Sequence, residues 1–115
     1  MYVLKKPLEI TFKKAGVKGF VFPTSELINK SEFLIIETQT GHETTIVERE
    51  SDFVYYVLDG DGYFEIDGRK EKCGRGDLVV IPAGVAFTYT GKLKMLLIVT
   101  PPFKPEQEEI VGEVK

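Results

Sequence analysis

Apolar and polar positions alternate in short runs along most of this chain, and the runs are rich in Val, Ile, Phe, Tyr and Thr. A period of two places successive side chains on opposite faces and is the pattern of half-buried strands. It predicts strands at about 8–13, 19–22, 32–39, 43–49, 53–59, 62–67, 77–81, 86–90 and 93–99. No window holds a sustained helical period, and PTSELINK at 23–30 fits one helical turn with Thr24 or Ser25 as its cap. Asp59-Gly60-Asp61-Gly62 and Asp67-Gly68 supply residues that tolerate positive φ between strands, and each predicts a turn. Pro82 falls where a strand ends, which suits its missing N–H. From Thr100 the stretch TPPFKPEQEEIVGEVK predicts an extended surface segment that frays. Many short antiparallel strands joined by glycine turns imply an all-β sandwich or closed barrel.

Length changes this picture little: 115 residues fit one domain with a real core. The net charge of -3 gives no reason to expect nucleic acid or an anionic membrane surface as a partner. Lys5, Lys6, Lys13, Lys14 and Lys18 make the N-terminal third locally basic, which reads as a solvated face. Cys73 is the single cysteine; it excludes an internal disulfide and fits a reducing cytosol, and it reads as a turn-flanking residue in a polar stretch. MYVLKKPLEI lacks the apolar run of a signal peptide, and no segment is long and apolar enough to span a bilayer. A cytoplasmic location is expected.

One stretch, GDLVVIPAGVAFTYTG at 76–91, carries a more specific pattern. Gly76, Pro82 and Gly84 have the spacing of the second cupin motif, which runs Gly, five residues, Pro-x-Gly, two residues, His. Gly41 and Gly60 match the two ends of the first cupin motif, and YYVLDGDGYFEIDG resembles the segment that follows it. The chain thus resembles the cupins over about 31–100, which implies an all-β, cupin-type double-stranded β-helix (jelly-roll) barrel of antiparallel strands filling residues 1–115. N-terminal strands would occupy 1–30, and an extended tail 101–115. Cupin metals are held by three histidines and a glutamate. The resemblance places Val47, Arg49, Phe53 and Phe87 at those four positions. Valine and phenylalanine have no lone pair to offer and a guanidinium repels a cation, so neither metal nor other cofactor is expected. The only histidine, His42, precedes its strand beside a turn glycine and reads as a surface or rim residue.

With alternation carried through the resemblance, Thr45, Val47 and Arg49 face the interior, as do Phe53, Tyr55 and Val57, Phe64 and Ile66, and Phe87 and Tyr89. The expected ligand site is therefore Arg49, Val47, Phe53, Tyr55, Phe87 and Tyr89: an apolar, aromatic concavity with three polar handles. The same side chains could instead pack a small barrel solid. Arg49 either reaches the rim and pairs with Glu48, Glu50 or another carboxylate, or it awaits an anionic ligand. On the opposite face of the same strand, Val54, Tyr56 and Leu58 form an apolar stripe. It predicts a homodimer, unless N-terminal strands or Pro101-Pro102-Phe103 cover the stripe.

The leading reading is a metal-free cupin that binds a small, anionic organic ligand in its barrel. The alternatives are a metal-independent enzyme resembling the epimerases and isomerases of nucleotide-linked sugars, and a non-catalytic interaction module with a solid barrel. The epimerase-like reading is weakened because no histidine falls at a predicted barrel position.

Overall fold

Nine strands run through the computed structural model, which describes residues 2–113. In chain order they are β1 (Phe12–Lys14), β2 (Val17–Val21), β3 (Glu32–Thr38), β4 (Thr44–Glu48), β5 (Asp52–Ile66), β6 (Arg69–Gly74), β7 (Leu78–Ile81), β8 (Phe87–Thr100) and β9 (Glu108–Glu113). The path β1-β2-β3-β8-β4-β9 is continuous, and β5 attaches to it through β8 while also pairing with β6 and β7. Every pairing is antiparallel. This is the all-β, antiparallel barrel architecture that the family resemblance implies. No helix among the described residues is long and apolar enough to cross a membrane.

The spine of the barrel is the β5–β8 pair, aligned from Asp52↔Thr100 to Ile66↔Phe87 with a bulge between Val57 and Asp59. Asp59-Gly60-Asp61-Gly62 therefore does not turn the chain, contrary to the sequence reading; it is the waist of one long strand. Its glycines serve close approach rather than reversal. A Cβ on Gly60 would collide with the Lys92 carbonyl, and one on Gly62 with the Thr90 carbonyl. Asp67-Gly68 is a true two-residue hairpin turn, with both residues at positive φ between β5 and β6. Cys73 lies on β6, buried, rather than in a polar connection. The turn at Thr24–Glu26 forms as a 3-10 turn, but no side chain caps it.

Inward alternation on β5 and β8 holds as expected: Phe53, Tyr55, Val57, Phe64, Phe87 and Tyr89 are buried, and Ile66 packs against them half-buried. On β4 the parity is the reverse of the expected one. Ile46 and Glu48 are buried, while Val47 is only half-buried and Arg49 is exposed. Ile46 and Val47 are both apolar and β-branched, so alternation alone does not choose between them. Contacts with β8 choose: Ile46 pairs with Phe87, and the His42 N–H donates to the Tyr89 carbonyl at 2.9 Å.

The tail does not fray over its described part. After a 3-10 turn at Pro105–Gln107 it becomes β9, paired with β4 from Glu48↔Glu108 to Thr44↔Glu113. Residues 114 and 115 lie outside the described residues. Gln107 is the anchor, fully buried. Its Oε1 accepts the backbone N–H groups of Glu50 and Ser51, each at 2.9 Å, and its Nε2 donates to Ser51 Oγ at 3.0 Å.

Candidate functional site

Aromatic side chains pack one end of the barrel. Phe64 and Tyr89 have ring centroids 4.9 Å apart, Tyr55 and Phe64 5.2 Å, and Phe53 and Phe87 5.8 Å. The other end is open, with a cavity of about 290 Å³ between the sheet halves. Apolar side chains such as Leu34, Phe53 and Leu97 form most of its wall. Its polar groups come from six strands and one loop: Lys14 (β1), Glu32 (β3), His42, Glu48 (β4), Tyr55 (β5), Tyr89 (β8) and Glu108 (β9). An apolar concavity with a few convergent polar groups is the form small-molecule sites take.

His42 is held on all sides. Gly41 before it has φ of 117° and lies so close to Tyr89 that a Cβ would strike its carbonyl oxygen. The His42 carbonyl accepts the Thr88 hydroxyl at 3.0 Å, and its ring meets the Tyr89 ring edge-on at 5.6 Å. Nδ1 lies 2.7 Å from the Thr44 carbonyl, which can only accept, so Nδ1 carries the proton and Nε2 the lone pair. Burial holds the imidazole below its usual pKa, opposed by the Thr44 hydrogen bond and the charge of Glu108. His42 is therefore a neutral base at neutral pH with one nitrogen to spare.

Tyr55 and Tyr89 stand beside it, ring centroids 5.5 Å apart. Burial raises the pKa of both, that of Tyr55 well above the phenol range. Each phenol influences the other. Their proximity raises Tyr55 further and offsets part of the rise at Tyr89. Both are proton donors at neutral pH.

At the β4–β9 edge, Glu48 and Glu108 face each other across the ladder. Lys14 bonds Glu108 at 2.8 Å and also lies over the Phe103 ring, 5.2 Å from its centroid. Glu48 is 3% exposed, and its Oε1 has no hydrogen-bond partner. Burial, and then the charge of Glu108, push the Glu48 carboxyl up to about 8, so it is largely protonated at neutral pH. Burial raises the Glu32 carboxyl above its usual pKa, offset in part by the nearby Phe103 backbone.

Of the six residues expected to bind a ligand, Phe53, Tyr55 and Tyr89 line the cavity. Phe87 is buried against Phe53 and Tyr55 but does not reach the cavity wall. Val47 and Arg49 lie on the far side of β4. Arg49 meets Glu109 at 3.4 Å and the Glu106 carbonyl at 3.4 Å, so it is a surface residue paired with another carboxylate. The reversed parity of β4 exchanged Arg49 for Glu48. His42 was missed because it precedes the strand. Its signal was the Gly41-His42 pair, where a glycine at positive φ lets the next residue join β8 and turn inward. Glu108 and Lys14 carried no local signal, since only the fold brings β1 and β9 to the cavity.

Fold and site together define a small β-barrel with an acid–base pocket, and the chain belongs to the cupin family: the model described as "Cupin domain" matches residues 34–100. No curated protein matches it by sequence. Among solved structures it resembles Pac13, described as a unique nucleoside dehydratase, with 25% identity over 90% of this chain and 85% of that one and a TM-score of 0.84. It also resembles Streptomyces Pac13 carrying H42Q, solved with uridine, at 23% identity over 100% and 94% of the two chains and a TM-score of 0.89. The Y55F and Y89F forms of that protein, also with uridine, each give 24% identity over 100% and 95% and a TM-score of 0.88.

The metal that the cupin fold commonly holds does not fit these residues. Phe53 and Phe87 stand at two ligand positions, Val47 and Arg49 at the others point away, and His42 Nδ1 is committed to Thr44. Among the described residues no three His, Cys, Asp or Glu side chains group as a ligand set.

Proposed function

We propose that the chain binds a nucleoside in this cavity and removes water from it by acid–base chemistry carried by His42, Tyr89 and Tyr55. The observation that carries this reading is the convergence of those three residues on one cavity, at the same numbers as the substitutions in the uridine-bound neighbours. The metal-free binder expected from sequence becomes an enzyme in this reading, because a histidine does stand in the barrel.

Dehydration needs a base for a C–H proton and an acid for the departing oxygen. His42 Nε2 takes the proton, the C–H electron pair becomes the new C=C bond, and the adjacent C–O bond breaks. The leaving hydroxide takes the Tyr89 proton and departs as water. Tyr55, whose ring lies 5.5 Å from that of Tyr89 and whose presence lowers the Tyr89 pKa, stabilises the phenolate formed there. Return of the proton from His42 to Tyr89 closes the cycle. A sugar C–H is too weak an acid for imidazole unless a carbonyl stands beside it. The test substrates are therefore nucleosides and their oxidised derivatives, assayed by mass spectrometry for loss of one water. His42→Gln and Tyr89→Phe should each lower kcat by roughly 10²–10⁴-fold while still binding uridine. Wild-type enzyme that binds no nucleoside and dehydrates none refutes the reading.

The ligand in this reading is uncharged, which revises the anionic ligand expected from Arg49. The cavity wall carries Glu32, Glu48 and Glu108, and its lysine is already bonded to Glu108. Uridine should bind at least about tenfold more tightly than its 5′-phosphate, a difference of roughly 1.4 kcal/mol. The reading also includes a homodimer through the Val54, Tyr56 and Leu58 face. A cytoplasmic location fits Cys73, a lone buried thiol.

A further inference from the structure

The mechanism leaves unused the most anomalous group in the cavity. Among the described residues, Glu48 Oε1 is the one buried side-chain polar atom without a hydrogen-bond partner. It belongs to a side chain that is 3% exposed, on the cavity wall. A buried acceptor without a partner is destabilising and calls for a reason. The surroundings show that the group is held rather than tolerated. Glu108 faces it across β4–β9, and Lys14 is bonded to Glu108 at 2.8 Å, so the nearest cation is already committed to Glu108. Glu48 is thus left with an acceptor that no protein group meets.

We infer that Glu48 recognises the ligand's base, its carboxyl accepting an imide N–H of a uracil-type ring. The inference rests on the nucleoside reading for the choice of ring. His42 precedes β4 and Glu48 ends it, so a nucleoside whose sugar reaches His42 and Tyr89 extends its base toward Glu48. An imide edge presents one N–H between two carbonyls. A neutral carboxyl can meet that N–H without placing a full negative charge against the flanking carbonyl oxygens. The same cavity position would disfavour a ring nitrogen that lacks a proton, since two acceptors would then face each other within a largely apolar wall.

The test is calorimetry at neutral pH with uridine and N3-methyluridine on wild type, Glu48→Gln and Glu48→Leu. Glutamine keeps a neutral carbonyl acceptor of the same shape. It should bind uridine within about threefold of wild type, whereas leucine should lose at least about tenfold, the scale of one buried hydrogen bond. Methylation of N3 should weaken binding to wild type at least about tenfold and to Glu48→Leu far less. The inference is overturned if Glu48→Leu binds uridine like wild type. It is also overturned if N3-methyluridine binds wild type as well as uridine does, or if glutamine loses as much as leucine. The methylated ligand tests wild type, so the outcome does not depend on a variant folding. A 2′-deoxyuridine arm separates base from sugar: loss there with no effect of N3-methylation assigns the donor to a hydroxyl and overturns the base assignment. If uridine does not bind wild type, the nucleoside reading falls. Glu48 is then judged by thermal shift with uracil, succinimide and hydantoin on wild type and Glu48→Leu. Stabilisation that depends on Glu48 upholds the imide site, and its absence overturns it.

Discussion

At the scale of single residues, the site runs on two groups displaced in opposite directions by the same cause. Burial disfavours charge, so it lowers His42 and raises Glu48. The consequences for pH are opposite as well. In the unfolded chain His42 takes a proton below about 6.5, but in the folded chain only at lower pH. Stability contributed by keeping it neutral is present above 6.5 and lost as pH falls below that value. The acid limb of a kcat/KM profile should likewise lie below 6.5, and a limb at or above 6.5 would show that His42 is not the base. For Glu48 the folded value is near 8 against 4.5 in the unfolded chain. Its contribution is present below 4.5 and lost as pH rises through 8. Glu108, Lys14 and Tyr55 are the groups it interacts with, and Lys14 alone favours its charge. Glu48→Gln should therefore gain stability over wild type at pH 9, by about 1–3 kcal/mol, and show little difference at pH 4.5. Urea midpoints at the two pH values check this; an equal gain at both would mean that packing, not ionisation, is responsible.

At the scale of elements, the barrel was legible because its determinants are local. The Phe53-Tyr55-Val57 alternation, the Asp67-Gly68 turn and the Gly76, Pro82 and Gly84 spacing each act within a few residues. What was not legible depended on contacts between distant segments. Ile46-Val47 suits either parity, and only pairing with β8 selects Ile46 and thereby brings Glu48 inside. Asp59-Gly60-Asp61-Gly62 has turn composition, but β8 uses its glycines for close approach. The tail is acidic and proline-flanked, and becomes a strand only because β4 offers an unpaired edge. That docking has one fully buried anchor, which makes it testable. Gln107→Ala would leave the Glu50 and Ser51 N–H groups without their acceptor in a buried site. It should destabilise the protein by about 2–4 kcal/mol and raise hydrogen exchange at β9 amides before those of β5. A loss below about 0.5 kcal/mol would show that β9 is held by its ladder alone. Because β9 supplies Glu108 to the cavity, the proposed function also requires this variant to bind uridine more weakly than wild type.

At the scale of the whole molecule, the open question is the outer face of the sheet. Tyr56 and Leu58 on β5 are exposed, and Leu78 and Val80 beside them on β7 are 60% and 56% exposed. Val54 pairs with Val80 and Tyr56 with Leu78, so these side chains form one surface rather than scattered contacts. Neither route to covering it within the chain is taken. β1 and β2 lie beyond β3 at the other end of the sheet, and Phe103 lines the cavity instead. A contiguous apolar surface of this kind fits association with a second copy. Light scattering after size exclusion should give twice the 13.0 kDa chain mass. Tyr56→Asp should return the protein to a single chain, because a carboxylate in the centre of an apolar interface has no partner. In the monomer the same side chain is exposed, so the variant should keep its strand content and melt cooperatively. Its cavity lies on the other face of β5, so uridine affinity should change less than about threefold. A wild-type protein that elutes and scatters as a single chain at micromolar concentration would show that this face stays open to solvent.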